Sequence, residues 1–296
     1  MASGPVDPVL DTLTAWDQGA WCLAAVVLLA RDPQGDEGQA ARAVLEASGL
    51  LAPGAPLSTG FGASPQQVAA QASAGLLQAA AVVQGSAGWA GLPDEVLLAQ
   101  GVASGQTAAA FRQLVLPALP GLGERLAAPG ARMLDVGTGV GALAAAFAAE
   151  FSALHVTGID VAPRVLDLAR QRIDALAVHD RVDLRLEDVG ALDEPAAYDL
   201  AWIPAPFVPP AALREGVGRV ARALRPDGWL LLAHGKPDQG RPVERALTAL
   251  RTLVFGGTLL DAAGAASLLG AAGLVDVASL PTPSGAPGIT VGRRAE

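Results

Sequence analysis

The chain of 296 residues has one cysteine, Cys22, which excludes an internal disulfide framework, and no CxxC pair or His-rich tract of the kind that holds a metal. A reducing compartment, the cytoplasm, suits such a chain. Proton-accepting side chains are scarce, with three histidines and one tyrosine. Basic residues are outnumbered, 20 against 29 acidic, for a net charge of -9, and they are scattered along the chain. Without a basic stripe to neutralise phosphates, nucleic acid is not an expected partner. Long apolar runs are missing too: the one at 19–30 ends at Arg31 and Asp32. It is too short for a bilayer, and the acids before it do not resemble a signal peptide, so no membrane role is expected. What the chain has in quantity is apolar content, 51%, enough for one large core or two modest ones.

The stretch that organises the rest is MLDVGTGVGA, residues 133–142, followed by the alanine-rich LAAAFAAEF. An apolar strand, a tight turn and a helix follow one another. Gly137, Gly139 and Gly141 permit positive φ and close approach of a ligand, and the helix start presents free N–H groups, as in nucleotide-binding turns. The spacing fits G-x-G-x-G and, through Ala142, also G-x-G-x-x-A, so the turn alone leaves a dinucleotide open. A second apolar strand, HVTGIDV, ends in Asp160, where an acid is placed to bind a ribose diol.

RVDLRLEDV, YDLAWIPAP and LRPDGWLLLA follow at the separations of successive βα units. Strands are expected at 131–136, 154–159, 182–186, 198–203 and 228–233, alternating with helices at 140–150, 163–177 and 210–224. This pattern predicts an α/β fold with a parallel sheet. Helices at 242–255 and 259–271 precede two strands, 274–280 and 288–293, joined by PTPSGAP. Over residues 107–296 these segments together resemble the class I S-adenosylmethionine-dependent methyltransferases, whose Rossmann-like sheet ends in an antiparallel hairpin. A nicotinamide dehydrogenase needs no such hairpin.

Before this domain the chain reads as helical: 14–30 mostly buried, 39–48 with Ala40, Val44 and Leu45 on one face, then LLAPGAPLSTGFG as a short β-wing. Further helices are expected at 65–83, 92–103 and 107–119. Two helices and a hairpin resemble the reduced winged-helix region preceding the catalytic domain of many small-molecule O-methyltransferases. There it serves dimerisation, which implies a homodimer and domains at 1–106 and 107–296. A DNA-binding regulator is disfavoured because the segment GQAARAVLEASG holds one Arg and one Glu.

The resemblance implies S-adenosylmethionine as cofactor and S-adenosylhomocysteine as product. Gly137, Thr138, Gly139 and Gly141 would form the turn under the methionine part and ribose. Asp135 would help hold the amino group, Asp160 with Val161 the ribose, and Asp188 with Val189, after Glu187, the adenine. For Asp160 the alternative is a helix N-cap. Helices near 107–119 cover the substrate cleft in that family, making Gln106, Phe111, Arg112 and Gln113 possible substrate contacts.

WIPAPFVPP lacks the NPPY-type signature of amide, adenine and glutamine N-methyltransferases. Trp202, Ile203, Pro204 and Phe207 would form an apolar wall suited to a hydrophobic small molecule, or else seal the sheet edge. His234, directly after the strand LLLA, stands at the ligand-binding edge and is the candidate catalytic or substrate-binding group. The His-Glu or His-Asp arrangement of winged-helix O-methyltransferases is missing. The expected function is methyl transfer to an apolar small molecule, with secondary metabolism as its setting. The alternative is a cofactor-binding enzyme of the same fold that catalyses cyclisation, decarboxylation or hydroxylation.

Overall fold

The computed structural model describes residues 7–58, 64–86, 88–105, 107–236, 240–283 and 286–296. The chain forms two compact units, Met1–Gln84 and Gly85–Glu296.

The first unit is helical. Its longest helix, α1 (Pro8–Arg31), begins earlier than the pattern suggests because Asp7 accepts from the amide of Val9 and Pro8 sits where no donor is needed. Contrary to the expected buried helix, only Ala25, Val26 and Leu29 are buried, while Trp16 and Trp21 are each 66% exposed. At 24 residues α1 is long and apolar enough to cross a membrane by length and composition, which the run 19–30 alone did not reveal.

Helix α2 (Asp36–Ala47) buries Gly38, Ala41 and Leu45 and leaves Ala40 and Val44 exposed, a correction to the expected face. The cause is close packing of Gly38 on the Asp32 carbonyl, which admits no side chain there. Helix α3 (Pro65–Val83) opens with a capping box between Ser64 and Gln67 and closes a small core with Val26, Leu29, Leu45 and Leu57. Residues 51–58 hold no strand, and 59–63 of the supposed wing lie outside the described residues.

The second unit carries a seven-stranded sheet in the order β3-β2-β1-β4-β5-β7-β6, built from β1 (Arg132–Val136), β2 (His155–Asp160), β3 (Val182–Leu186), β4 (Tyr198–Pro204), β5 (Leu224–His234), β6 (Val275–Leu280) and β7 (Gly288–Arg293). The first five are parallel, and β7 runs antiparallel to both β5 and β6, which is the closing hairpin expected. All seven residues of β4 are buried, as a central strand covered on both faces requires. Strand β5 starts early because Asp227, at φ 61°, and Gly228 carry the chain through a bulge against Tyr198–Leu200.

Among the described residues, eight helices surround the sheet: α4 (Asp94–Gly105), α5 (Thr107–Ala110), α6 (Leu122–Ala127), α7 (Ala142–Glu150), α8 (Pro163–Ala175), α9 (Pro210–Ala223), α10 (Pro242–Val254) and α11 (Ala262–Ala271). The single helix expected at 107–119 is broken into α5, a wide turn at Phe111–Val115 and a tight one at Leu116–Ala118, where Pro117 supplies no N–H. The expected boundary at 106 also differs from the division after Gln84: Gly101 of α4 sits against Val140 of the glycine turn, so α4 packs within the second unit.

Candidate functional site

The strand order reverses between β1 and β4, and ligands of open α/β sheets bind where the carboxyl ends of strands diverge in this way. The turn Gly137–Gly141 occupies that point. Its glycines have φ of 64°, 57° and 69°, left-handed values that a side chain opposes, and the nearest atom to a Cβ built on Gly137 is Pro204 Cγ at 3.9 Å. The turn thus faces the end of β4 across open space.

Two carboxyls converge on it, that of Asp135 buried and that of Asp160 half-buried. The Asp160 Oδ2 accepts from the Gly139 amide at 3.0 Å and Oδ1 from the Ala162 amide at 3.0 Å, so residue 160 is directed at the turn and steadies the entry to α8 as well. Burial raises its pKa against the opposing pull of these amides. Asp135 accepts from Thr138 Oγ1 at 2.8 Å. Its pKa is pushed up to about 7, chiefly by burial and further by the nearby charge of Asp160, while the Thr138 hydroxyl opposes the rise. Each carboxyl oxygen retains lone-pair capacity, and neither acid has an arginine partner among the described residues. A ligand bringing an ammonium and a hydroxyl pair completes what this arrangement lacks.

Other expected residues are placed as follows. Val161 is exposed at the rim beside Asp160. Asp188 accepts from the Gly190 amide at 2.7 Å and caps the turn at Val189–Ala191. Val189 is buried against Gly216 of α9, as core. Trp202 is likewise core, 7% exposed and clustered with Phe147 and Leu231 in the middle of the sheet, so it forms no cleft wall. Phe111 is buried against Phe147 and Phe151, and Arg112 pairs with Glu150 at the far end of α7 from the glycine turn. Both therefore lie away from the substrate edge, because the broken segment 107–119 packs under α7. Gln113 is exposed on the same segment, and Gln106 lies outside the described residues.

His234 is 2% exposed, with Nδ1 against the Gly235 carbonyl at 2.6 Å and Nε2 against Thr290 Oγ1 at 2.9 Å. A carbonyl can only accept, so the proton sits on Nδ1 and Thr290 donates to Nε2. Ser279 Oγ, 2.9 Å from Thr290 Oγ1, extends the chain. Both ring nitrogens are committed, which leaves none to take a proton from an acceptor.

Beside Phe207 the structure gathers Trp89 and Phe255, which sequence reasoning passed over. Phe207, 39% exposed after β4, meets Trp89 edge-on with ring centroids 4.8 Å apart, and Trp89 also lies 4.8 Å from Phe255. The loop after α10 is tied to the same place, since the Thr258 amide donates to Ala205 O at 2.9 Å and its hydroxyl to Val208 O at 2.7 Å. No local pattern around Trp89 marks this, because its partners lie more than a hundred residues away.

This sheet order, its closing hairpin and the acid-flanked glycine turn define a class I S-adenosylmethionine-dependent methyltransferase fold. Residues 133–228 match a family model described as a methyltransferase domain. The release factor glutamine methyltransferase of Cereibacter sphaeroides is 35% identical over 172 residues, which cover 55% of this chain and 57% of that protein. The chain spans about half the length of the curated relatives it matches. Among solved structures, human N-acetylserotonin methyltransferase in complex with the cofactor is 18% identical with a TM-score of 0.62, covering all of both chains. A mitomycin 7-O-methyltransferase is 21% identical with a TM-score of 0.58, covering 97% of this chain and 98% of the other. At these identities the two structures speak to the fold.

Proposed function

We propose that the protein transfers a methyl group from S-adenosylmethionine to a small-molecule acceptor with an apolar body, in the cytoplasm and as a homodimer. The reading is carried by the buried carboxyl of Asp135 and the half-buried one of Asp160, which meet one glycine turn with no cation between them among the described residues. When bound, the cofactor supplies an electrophilic methyl on a sulfonium, already a good leaving group. The residues of the chain then bind and orient. Asp160 accepts from the ribose hydroxyls, Asp135 faces the ammonium, the 137–141 turn admits the methionine part, and Asp188 and Val161 border the adenine.

Pro204 and Phe207 border the acceptor beside Trp89, stiff and apolar, so that alignment for in-line displacement contributes much of the acceleration. With His234 committed, no general base is assigned, and an acceptor that is already a good nucleophile suits the site. A glutamine side chain as acceptor, which the Cereibacter relative's name would suggest, is less well served: Pro204-Ala205-Pro206-Phe207 offers no carboxamide to hold an amide. Secondary metabolism is a fitting setting for a small apolar acceptor.

The test is calorimetry with S-adenosylhomocysteine. Asp160→Ala removes a charge-assisted acceptor and is expected to weaken binding by about 30-fold or more. Near-normal affinity overturns the ribose assignment. Incubation with S-adenosylmethionine and candidate acceptors separates methyl transfer from other chemistry on this fold, because only the former yields S-adenosylhomocysteine together with a product heavier by one methylene.

A further inference from the structure

Lys236 is the only lysine in the sequence, and every other member of the 20 cationic side chains is arginine. It follows β5 and lines a cavity of about 160 Å³ together with His234, Ser279, Thr282, Gly288 and Ile289. A single water needs roughly 10–15 Å³ by a comparable measure, so this space admits an organic group.

We propose that this cavity binds a carboxylate, the acid group of the acceptor, through the Lys236 ammonium and the Thr282 hydroxyl, a proposal that rests on the methyl-transfer reading above. Two of the three ammonium donors are fixed by the carbonyls of Thr282 at 3.0 Å and Pro283 at 2.9 Å. These hold the head in place without cancelling its charge. Among the described residues no carboxylate lines the cavity and Lys236 has no ion pair. Burial lowers its pKa, the direction expected of an ammonium lacking a counter-ion.

Thr282 Oγ1 is a second, independent sign, being one of three buried side-chain polar atoms without a hydrogen-bond partner among the described residues. The rest of the wall is preset, since His234, Thr290 and Ser279 hydrogen-bond one another. Gly288 lies flat on the His234 ring, where any side chain would collide. One positive charge and one hydroxyl match a monoanion better than a phosphate dianion. Arginine is no substitute, because its broad planar head cannot occupy the point where the compact ammonium sits. Strand β5 is two strands from β1, about 10 Å at the usual strand spacing. An acid anchored here leaves the body of the acceptor along the end of β4, past Phe207.

The lone lysine makes the test selective, because succinimidyl acetate marks one side chain besides the N-terminus, read by peptide mass. With the full chain saturated with S-adenosylhomocysteine, 4-hydroxybenzoate or propionate is expected to slow Lys236 acetylation about fivefold or more, and 4-hydroxybenzamide and inorganic phosphate to leave it unchanged. Lys236→Met, Lys236→Arg and Thr282→Val are each expected to weaken 4-hydroxybenzoate binding about tenfold, with S-adenosylhomocysteine affinity unaltered. Absence of protection by both acids, equal protection by the amide or by phosphate, or wild-type binding by Lys236→Arg overturns the proposal. Failure of the wild-type chain to bind S-adenosylhomocysteine counts against the methyl-transfer reading instead, and the protection result, repeated without that ligand, still decides the pocket.

Discussion

At the scale of single residues, Asp135 has the most unusual chemistry. In the unfolded chain it titrates near 3.8, and in the folded protein near 7. Between these values the native state holds a proton that the unfolded state has released. Its stabilising contribution is therefore complete below about pH 4 and is lost as pH rises through about 7. The melting temperature of the ligand-free protein is expected to fall between pH 5 and 8, and Asp135→Asn to flatten that slope. An incoming ammonium favours the charged form, so binding of S-adenosylhomocysteine at pH 7 is expected to release about half a proton, measured by calorimetry in buffers of different ionisation enthalpy. A release unchanged in Asp135→Asn would sink the assignment. Asp135 and Asp160 were legible because strand, turn and strand fix their spacing. Lys236, Trp89 and the buried Asp199, which accepts from Arg125 at 3.0 Å and Arg225 at 2.7 Å, were not. Their meaning lies in partners distant along the chain.

At the scale of elements, short apolar runs located all seven strands, most of them within a residue or two, because the parallel strands, buried on both faces, need unbroken apolar runs. The reading failed where local pattern and packing disagree. Residues 107–118 are helical as expected, yet the helix widens over Phe111–Val115, where Phe111 is buried against Phe147, and tightens over Leu116–Ala118 at Pro117. Fine packing between elements was equally hidden. A Cβ on Gly158 of β2 would come within 2.6 Å of Thr138 Oγ1 and 2.9 Å of Thr138 Cβ. Thr138 in turn donates to Asp135. Gly158→Ala is expected to cost about 1–3 kcal/mol of stability by overpacking and to weaken S-adenosylhomocysteine binding about tenfold. Melting and binding like wild type in Gly158→Ala would show that the turn is not held by this contact.

At the scale of the whole molecule, the question is what covers α1. Val9, Leu13, Trp16 and Trp21 are all more than half exposed, at spacings that bring successive members round one broad side of the helix. Isolated exposed apolar residues are ordinary, but a row containing two tryptophans marks an interaction surface. The acids Asp11 and Asp17 within the same stretch, and a chain of net charge -9, oppose contact with an anionic bilayer. A second copy carries the same charge, and Asp17 lies between Leu13 and Trp21 on this side, but an antiparallel helix pair through Val9, Leu13 and Trp16 can leave Asp17 facing water, where salt screens the repulsion. Sedimentation is expected to give twice the chain mass at micromolar concentration. Trp16→Glu combined with Trp21→Glu is expected to shift it to the monomer while S-adenosylhomocysteine affinity stays within about twofold, since the glycine turn belongs to the other unit. A wild-type monomer, or wild-type protein that floats with neutral liposomes and loses this in the double variant, would assign the tryptophan face to something other than self-association.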